Sequence, residues 1–120
     1  MNFDSNQPIY IQIMDLIKRQ IITGELKEGD KLPSVREIAT DLKVNPNTIQ
    51  RSYQELEREN LVYTQRGMGT YVTEDKELVK ELKKTLAKNI INSFIDDMKA
   101  IGYSPHEIID LINNRVKEEK

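Results

Sequence analysis

Five polar side chains that could hydrogen-bond to nucleic-acid bases cluster in the middle of the sequence. They are Asn47, Thr48, Gln50, Arg51 and Gln54. Arginine can bond to O6 and N7 of guanine, and glutamine or asparagine can bond to N6 and N7 of adenine. If this segment is a helix, these side chains lie on its outward side, because the apolar residues between them lie inward. The spacing therefore suits the reading of base edges in a DNA major groove.

Two short helices are predicted before that segment. Apolar residues recur every three or four positions over residues 8–22, and this spacing predicts the first helix. Residues 28–31 are typical of a turn. Ser34 and Glu37 have the spacing of a capping box, so the second helix is predicted over about residues 35–42. A tight connection then leads into the segment that carries the polar side chains.

That segment is predicted to be a third helix, followed by a hairpin. Asn45 is a favourable N-cap and Pro46 suits the first helical position, so the helix is expected to run from there to about Glu59. Residues 61–64 and 70–73 are rich in β-branched and aromatic side chains and flank a turn with two glycines, which indicates a β-hairpin. Three helices and a hairpin in this order form a winged helix-turn-helix.

A long amphipathic helix is predicted from about Glu74. No proline or glycine interrupts residues 75–101, so this helix could extend over roughly 40 Å. Ser104 and Pro105 begin a last, shorter helix that can cover only part of the apolar stripe. Because a monomer rarely exposes such a stripe, we predict a homodimer. The predicted interface residues are Leu78, Leu82, Leu86, Ile90, Phe94, Met98, Ile108 and Ile112.

The predicted fold is therefore mainly α with a small β-hairpin wing. A winged helix-turn-helix domain is expected over residues 1–73, followed by two C-terminal helices over residues 74–120 that form a dimerisation tail. The tail is too short to hold a separate effector domain. A small molecule between the tail helices or at the junction with the head is an open alternative, but the apolar stripes there are more simply interpreted as dimer core.

Composition argues against several classes of function. The 120 residues include no cysteine and one histidine, so thiol catalysis and metal sites built on cysteine or several histidines are excluded. The sequence offers no nucleophile–base pair and no phosphate-cradling loop after a strand, so we expect neither an enzyme nor a cofactor or metal site. No apolar run approaches the roughly 20 residues of a membrane span, and no signal peptide is apparent. A cytoplasmic protein without membrane contact is expected.

The charge balance does not by itself favour DNA. The net charge is −2, and residues 1–75 hold nine basic and twelve acidic side chains. DNA binding therefore requires the basic groups to lie on one face, and Arg36, Lys43, Arg51 and Arg66 are the candidates. The alternative is a winged-helix module that binds another protein and not DNA.

Four linked motifs run through the first 73 residues. They are Leu32-Pro33-Ser34-x-Arg36-Glu37-x-Ala39, Val44-x-x-Asn47-Thr48-Ile49, Leu56-Glu57-x-Glu59-x-Leu61 and Arg66-Gly67-x-Gly69-Thr70-Tyr71-Val72. Together they resemble the winged-helix head of the GntR family of bacterial transcription regulators, and the resemblance covers about residues 8–73. It implies double-stranded DNA as the partner.

The resemblance also implies which residues contact DNA. It transfers this role to Arg36, Thr48, Gly67 and Thr70, where the motifs match. Many family members have arginines near the start of the third helix and four residues later, whereas this chain has Pro46 and Gln50 there, so their base preferences are not expected here. The full set of predicted DNA-binding residues is Ser34, Arg36, Asn45, Asn47, Thr48, Gln50, Arg51, Gln54, Arg66, Gly67, Gly69 and Thr70.

The short C-terminal part is similar to that of the YtrA subfamily, as is the sequence of residues 45–53. This resemblance implies two tail helices that serve dimerisation, and targets that are often transporter operons near the regulator's own gene. We therefore expect a repressor that binds an inverted-repeat operator as a homodimer.

Overall fold

The computed structural model describes residues 3–119, and the predicted architecture is confirmed. The elements are α1 (Ile9–Thr23), α2 (Val35–Leu42), α3 (Pro46–Arg58), β1 (Val62–Gln65), β2 (Gly69–Val72), α4 (Lys76–Ala100) and α5 (Pro105–Glu118). They form two compact units, one ending at Leu82 and the other beginning at Lys83. The first unit holds the helix-turn-helix and the hairpin.

Local capping interactions set the helix ends in the first unit. The Ser34 N–H donates to Oε1 of Glu37 at 3.0 Å, and the Glu37 N–H donates to Oγ of Ser34 at 3.1 Å, as the capping box predicts. The same bonds, led by that from the Ser34 backbone, hold the pKa of Glu37 below its usual value. Lys43, with a φ of 56°, turns the chain sharply between α2 and α3. Asn60, two residues after the end of α3, adopts the left-handed conformation with a φ of 64°.

The core of the first unit lies between α1, α3 and the hairpin. Ile13 and Ile17 of α1 are buried against Ile49 and Leu56 of α3, and Val72 of β2 closes the same cluster. Each helix presents one apolar stripe to this cluster because its apolar residues recur every three or four positions. Leu78 and Leu82 of α4 also pack, half-buried, against it.

The sheet has a third contributor beside the two strands of the hairpin. β1 and β2 pair antiparallel from Val62 opposite Val72 to Gln65 opposite Gly69. The Leu32 N–H donates to the Thr70 carbonyl at 2.8 Å, and Lys31 pairs antiparallel with Tyr71. The prediction of a turn over residues 28–31 was therefore wrong at its last residue, which extends the sheet because β2 offers it an open edge.

The second unit leaves most of its apolar surface exposed. Ile108 is only 3% exposed, but Ile90, Phe94 and Ile112 are 49%, 39% and 42% exposed. Phe94 and Ile112 line a groove of about 500 Å³ whose other walls are almost entirely apolar. Of the predicted interface residues, Ile108 is buried by its own chain and four are half-buried, namely Leu78, Leu82, Leu86 and Met98.

A buried tyrosine joins α3 to the segment that precedes α2. The Tyr53 side chain is buried, and its hydroxyl donates to the Pro33 carbonyl at 2.6 Å. Burial, helped by the nearby charge of Glu37, raises the pKa of Tyr53 to about 12. This bond fixes the separation of the two helices of the helix-turn-helix.

We expect Tyr53→Phe to lower the free energy of unfolding by about 0.5–1.5 kcal/mol near neutral pH, because the partly buried hydrogen bond from the Tyr53 hydroxyl to the Pro33 carbonyl is lost. The difference from wild type should shrink as pH rises from 10 toward 12, because the unfolded tyrosine ionises before the folded one and wild type loses stability in that window. Urea unfolding of both proteins at about pH 8 and about pH 11 measures this. A difference that stays constant across this range would contradict the assignment.

Candidate nucleic-acid interface

The outward face of α3 carries the predicted base-reading residues. Asn47, Gln50 and Gln54 are exposed, while Ile49 and Leu56 are buried beneath them. Thr48 is half-buried, and its carbonyl accepts a bond from the Ser52 hydroxyl. The amide groups at positions 47, 50 and 54 thus form one polar, unobstructed side of the helix, with the chemistry needed to bond to base edges.

Arg51 is held in place by an aromatic ring of α1. Its guanidinium carbon lies 3.8 Å from the centre of the Tyr10 ring, a cation–π geometry. The Ser52 hydroxyl donates to the Tyr10 carbonyl at 2.9 Å, so two adjacent residues of α3 bind one residue of α1. Arg51 remains exposed, and its guanidinium over the ring keeps N–H groups for a phosphate or a base.

Two predicted residues serve first as helix caps. The Asn45 Oδ1 atom accepts from the Asn47 N–H at 2.8 Å, and Ser34 forms the capping box of α2. Arg36, in the first turn of α2, is exposed. The beginnings of α2 and α3 therefore both carry an oxygen cap and exposed N-terminal turns, which suit phosphate contacts.

The tip of the hairpin is exposed and closely turned. Arg66 and Gly67 lie at its end, and the Met68 N–H donates to the Gln65 carbonyl at 2.9 Å to close the turn. Gly67 has a φ of 77°, a conformation that glycine adopts without strain. Thr70 is half-buried on β2, with its hydroxyl 3.4 Å from that of Thr64. Arg66 is thus the wing's most projecting cation.

The acidic side chains of α3 are grouped at its C-terminal end and are engaged there. Glu55 pairs with Arg58 at 2.9 Å, and Glu59 pairs with Lys18 of α1 at 2.9 Å. Glu57 accepts a bond from the Thr64 N–H at 3.1 Å. These carboxylates therefore lie away from the N-terminal half of the helix.

The exposed cations near the start of α2, at the α2–α3 turn and on the wing have no acidic partner in the described part of the chain. They are Arg36, Lys43 and Arg66. Each is exposed and therefore open to a phosphate, which removes much of the objection raised by the negative net charge.

The sequence prediction missed two residues of this surface. Tyr10 was part of a predicted helix, but no sequence signal placed its ring on Arg51, which is distant along the chain. Lys31 was assigned to a turn, yet its side chain lies against Gly69 of β2. Alternate residues of a strand point to the same face of a sheet. This rule predicts the contact between Lys31 and Gly69 only if residues 30–32 are already known to pair with β2.

The described residues contain no group of three or more histidine, aspartate or glutamate side chains arranged to hold a metal ion. Within residues 3–119, no helix has both the length and the apolar character needed to cross a bilayer.

We expect the Tyr10–Arg51 contact to contribute about 0.5–1 kcal/mol to folding. The test is a double-mutant cycle on the free energy of unfolding with Tyr10→Leu and Arg51→Ala. The control cycle replaces Arg51→Ala by Gln50→Ala, because Gln50 is an exposed neighbour on the same helix. Equal coupling energies in the two cycles would show that the ring does not hold the guanidinium in solution.

Comparison with known proteins agrees with this geometry. Residues 9–72 match the family described as bacterial regulatory proteins of the gntR family. The chain is 43% identical to the HTH-type transcriptional repressor YtrA of Bacillus subtilis, and the match covers 97% of this chain and 92% of that protein.

Two solved structures are also similar. A GntR family transcriptional regulator from Listeria monocytogenes superposes with a TM-score of 0.85 at 46% identity, covering 93% of this chain and 98% of that one. The DNA-binding domain of AraR in complex with an operator superposes with a TM-score of 0.55 at 27% identity, covering 61% of this chain and 90% of that one. The chain belongs to the GntR family of bacterial regulatory proteins, which are DNA-binding transcription regulators and not enzymes.

Proposed function

We propose that the protein is a repressor that binds an inverted-repeat operator as a homodimer. The observation that carries the proposal is the exposed amide face of α3, formed by Asn47, Gln50 and Gln54, together with the exposed cations Arg36 on α2 and Arg66 on the wing. In this arrangement α3 enters a major groove with its N-terminal half, and the cations contact the backbone on either side.

The residues divide into those that read bases and those that position the helix. Gln50 and Gln54 have the chemistry to bond to adenine, and Asn47 is close to the N-terminal end that enters deepest. Arg36 and Arg51 are suited to phosphates, because the first is exposed at the start of α2 and the second is exposed on α3 with its guanidinium over the Tyr10 ring. Ser34, Asn45, Thr48, Gly67, Gly69 and Thr70 complete the surface as caps and close backbone approaches.

The homodimer is supported by the apolar surface of the second unit. Ile90, Phe94 and Ile112 are exposed there, and they continue along α4 and α5 as one apolar face. A second copy of the chain offers the same face in return, so a twofold axis can cover both at once. We propose residues 1–73 as the DNA-binding head and residues 74–120 as the dimerisation tail.

Likeness to the transcriptional repressor YtrA supports the proposed repressor role, and the proposed target genes rest on the resemblance to the YtrA subfamily. The match to that repressor extends over nearly the whole chain, tail included. We therefore propose repression of an operon near the protein's own gene, with a transporter operon as the first candidate, and action in the cytoplasm where that DNA lies. An alternative in which the head binds a protein is favoured only by the acidic composition of the chain.

The decisive experiment selects duplexes from a random pool with the full-length protein and then measures binding of the selected duplex by fluorescence anisotropy. A palindromic consensus, bound by two chains in a salt-dependent manner, is the expected result. Failure to enrich any sequence over many rounds, together with no salt-sensitive binding, would overturn the operator proposal and favour the protein-binding alternative.

Arg36→Ala and Gln50→Ala are expected to differ in kind. Arg36→Ala should weaken binding to all duplexes alike and lower the salt slope by about 0.9 per half-site, because it removes one phosphate contact from each chain. Gln50→Ala should change the preference at one base position per half-site, by about 1–3 kcal/mol. Arg19→Ala, an exposed change on α1, is the control. If both variants bind DNA as well as the Arg19→Ala control does, the DNA-binding surface lies elsewhere.

A charged substitution in the tail should separate the chains. Phe94→Glu places a carboxylate in the apolar groove, and we expect monomers in sedimentation velocity and a large loss of operator affinity. Asn92→Glu adds the same charge to the opposite, polar side of α4 and should leave the dimer intact. A Phe94→Glu protein that remains dimeric would exclude this face as the interface.

A further inference from the structure

Lys31 shares the outer face of the wing although it lies more than thirty residues before it in the chain. It pairs antiparallel with Tyr71, and Tyr71 in turn pairs with Tyr63. Residues paired in this way point to the same side of a sheet, and positions two apart on a strand share that side. Lys31, Tyr63, Gly69 and Tyr71 therefore lie on one face, opposite the buried face that holds Val72.

The absence of a side chain at Gly69 gives the Lys31 side chain its path. A Cβ atom at position 69 would lie 2.7 Å from Cε of Lys31 and 3.5 Å from its Nζ. Such distances show that the end of the lysine passes directly over the glycine, the first residue of β2 after the wing tip. The ammonium group thus lies beside Gly69, at the base of the wing tip that carries Arg66.

The same ammonium group also acts on the start of α2 through its charge. Its charge contributes, after the bonds from Ser34, to holding the pKa of Glu37 below its usual value. Glu37 follows Arg36 in the first turn of α2. Lys31 is exposed, and no ion-pair distance joins it to an acidic group within residues 3–119.

We propose that Lys31 is a further DNA-contacting residue, whose ammonium binds a backbone phosphate between the segment contacted by Arg36 and the segment contacted by the wing. Two observations carry the proposal: the sheet pairing that orients Lys31, and the glycine that lets its side chain reach the base of the wing tip. The inference rests on the operator surface proposed above and adds to it a residue that fixes how far the wing lies from α2. A lysine is suited to this role because it contacts phosphate as a mobile point charge, without base preference.

The test compares Lys31→Met with wild type on the duplex selected from the random pool, by fluorescence anisotropy across a salt series. Methionine keeps most of the chain length and removes the charge. Each phosphate contact contributes about 0.9 to the slope of log affinity against log salt, so the variant should lose about 0.9 per half-site. If the proteins bind alike near 1 M salt, that slope corresponds to about eightfold weaker binding per half-site at 0.1 M.

The matched control is Lys27→Met. Lys27 is also exposed and precedes the point where the Gly29 N–H donates to the Val72 carbonyl, which is the end of β2 farthest from the wing tip. The control should keep the wild-type slope. Thermal unfolding of both variants checks that each is folded, and Lys31→Gln gives a second neutral variant should the methionine protein unfold.

A Lys31→Met or Lys31→Gln protein with the wild-type slope would overturn the proposal while leaving the operator proposal standing. An equal change in the Lys27→Met control would also overturn it, because the effect would then be one of net charge. Failure of wild type itself to bind a selected duplex would overturn both, and that result is distinguishable because it appears before any variant is made.

Discussion

The orientation of α3 depends on two hydroxyl groups buried beneath its exposed face. Ser52 donates to the Tyr10 carbonyl of α1, and Tyr53 donates to the Pro33 carbonyl just before α2. Each bond replaces a hydrogen bond to water, so its net contribution to the free energy of folding is small. A displacement of α3 that broke either bond would leave a buried hydroxyl without a partner, which costs more free energy. Adjacent residues of one helix therefore bind the elements on its two sides. These two hydrogen bonds orient α3, and they therefore also set the direction in which the amide groups on its exposed side point.

The charge distribution explains how an acidic chain can belong to a DNA-binding family. The carboxylates of α3 are gathered at its C-terminal end, where Glu55 and Glu59 pair with Arg58 and Lys18. The exposed cations lie on other elements, around the start of α2 and on the wing. Exposed ion pairs of this kind add little stability, but they neutralise carboxylates that would otherwise repel phosphate. Local arrangement, not net charge, decides the field that DNA meets.

The two units differ in how completely they bury their apolar residues. The first has a closed cluster between α1, α3 and the hairpin, extended by Leu78 and Leu82 of α4. The second buries Ile108 but leaves Phe94 and Ile112 on an open groove. A short helical pair has too little surface to enclose its own stripe, so the remaining area is a natural contact for a second copy. The proposed division into a DNA-binding head and a dimerisation tail rests on this difference in packing.

The sequence by itself determined the local features of this protein. Ser34 with Glu37, and Asn45 with Pro46, begin their helices as predicted, because capping depends on residues three or fewer positions apart. The strands and the outward face of α3 follow from the periods of two and of about 3.6 residues. The candidate DNA surface was predictable to the same extent, since exposed polar positions on a helix can be read from its apolar ones.

Only the tertiary structure decided which distant residues meet. Nothing local placed Tyr10 on Arg51, paired Lys31 with Tyr71, or covered Leu78 and Leu82 with the core of the first unit. These contacts depend on how helices and strands pack, and the same apolar stripe can face its own chain or a partner without any change in sequence pattern. The periodicity of apolar residues predicts which face of a helix is buried, whereas the tertiary structure decides which surface covers that face.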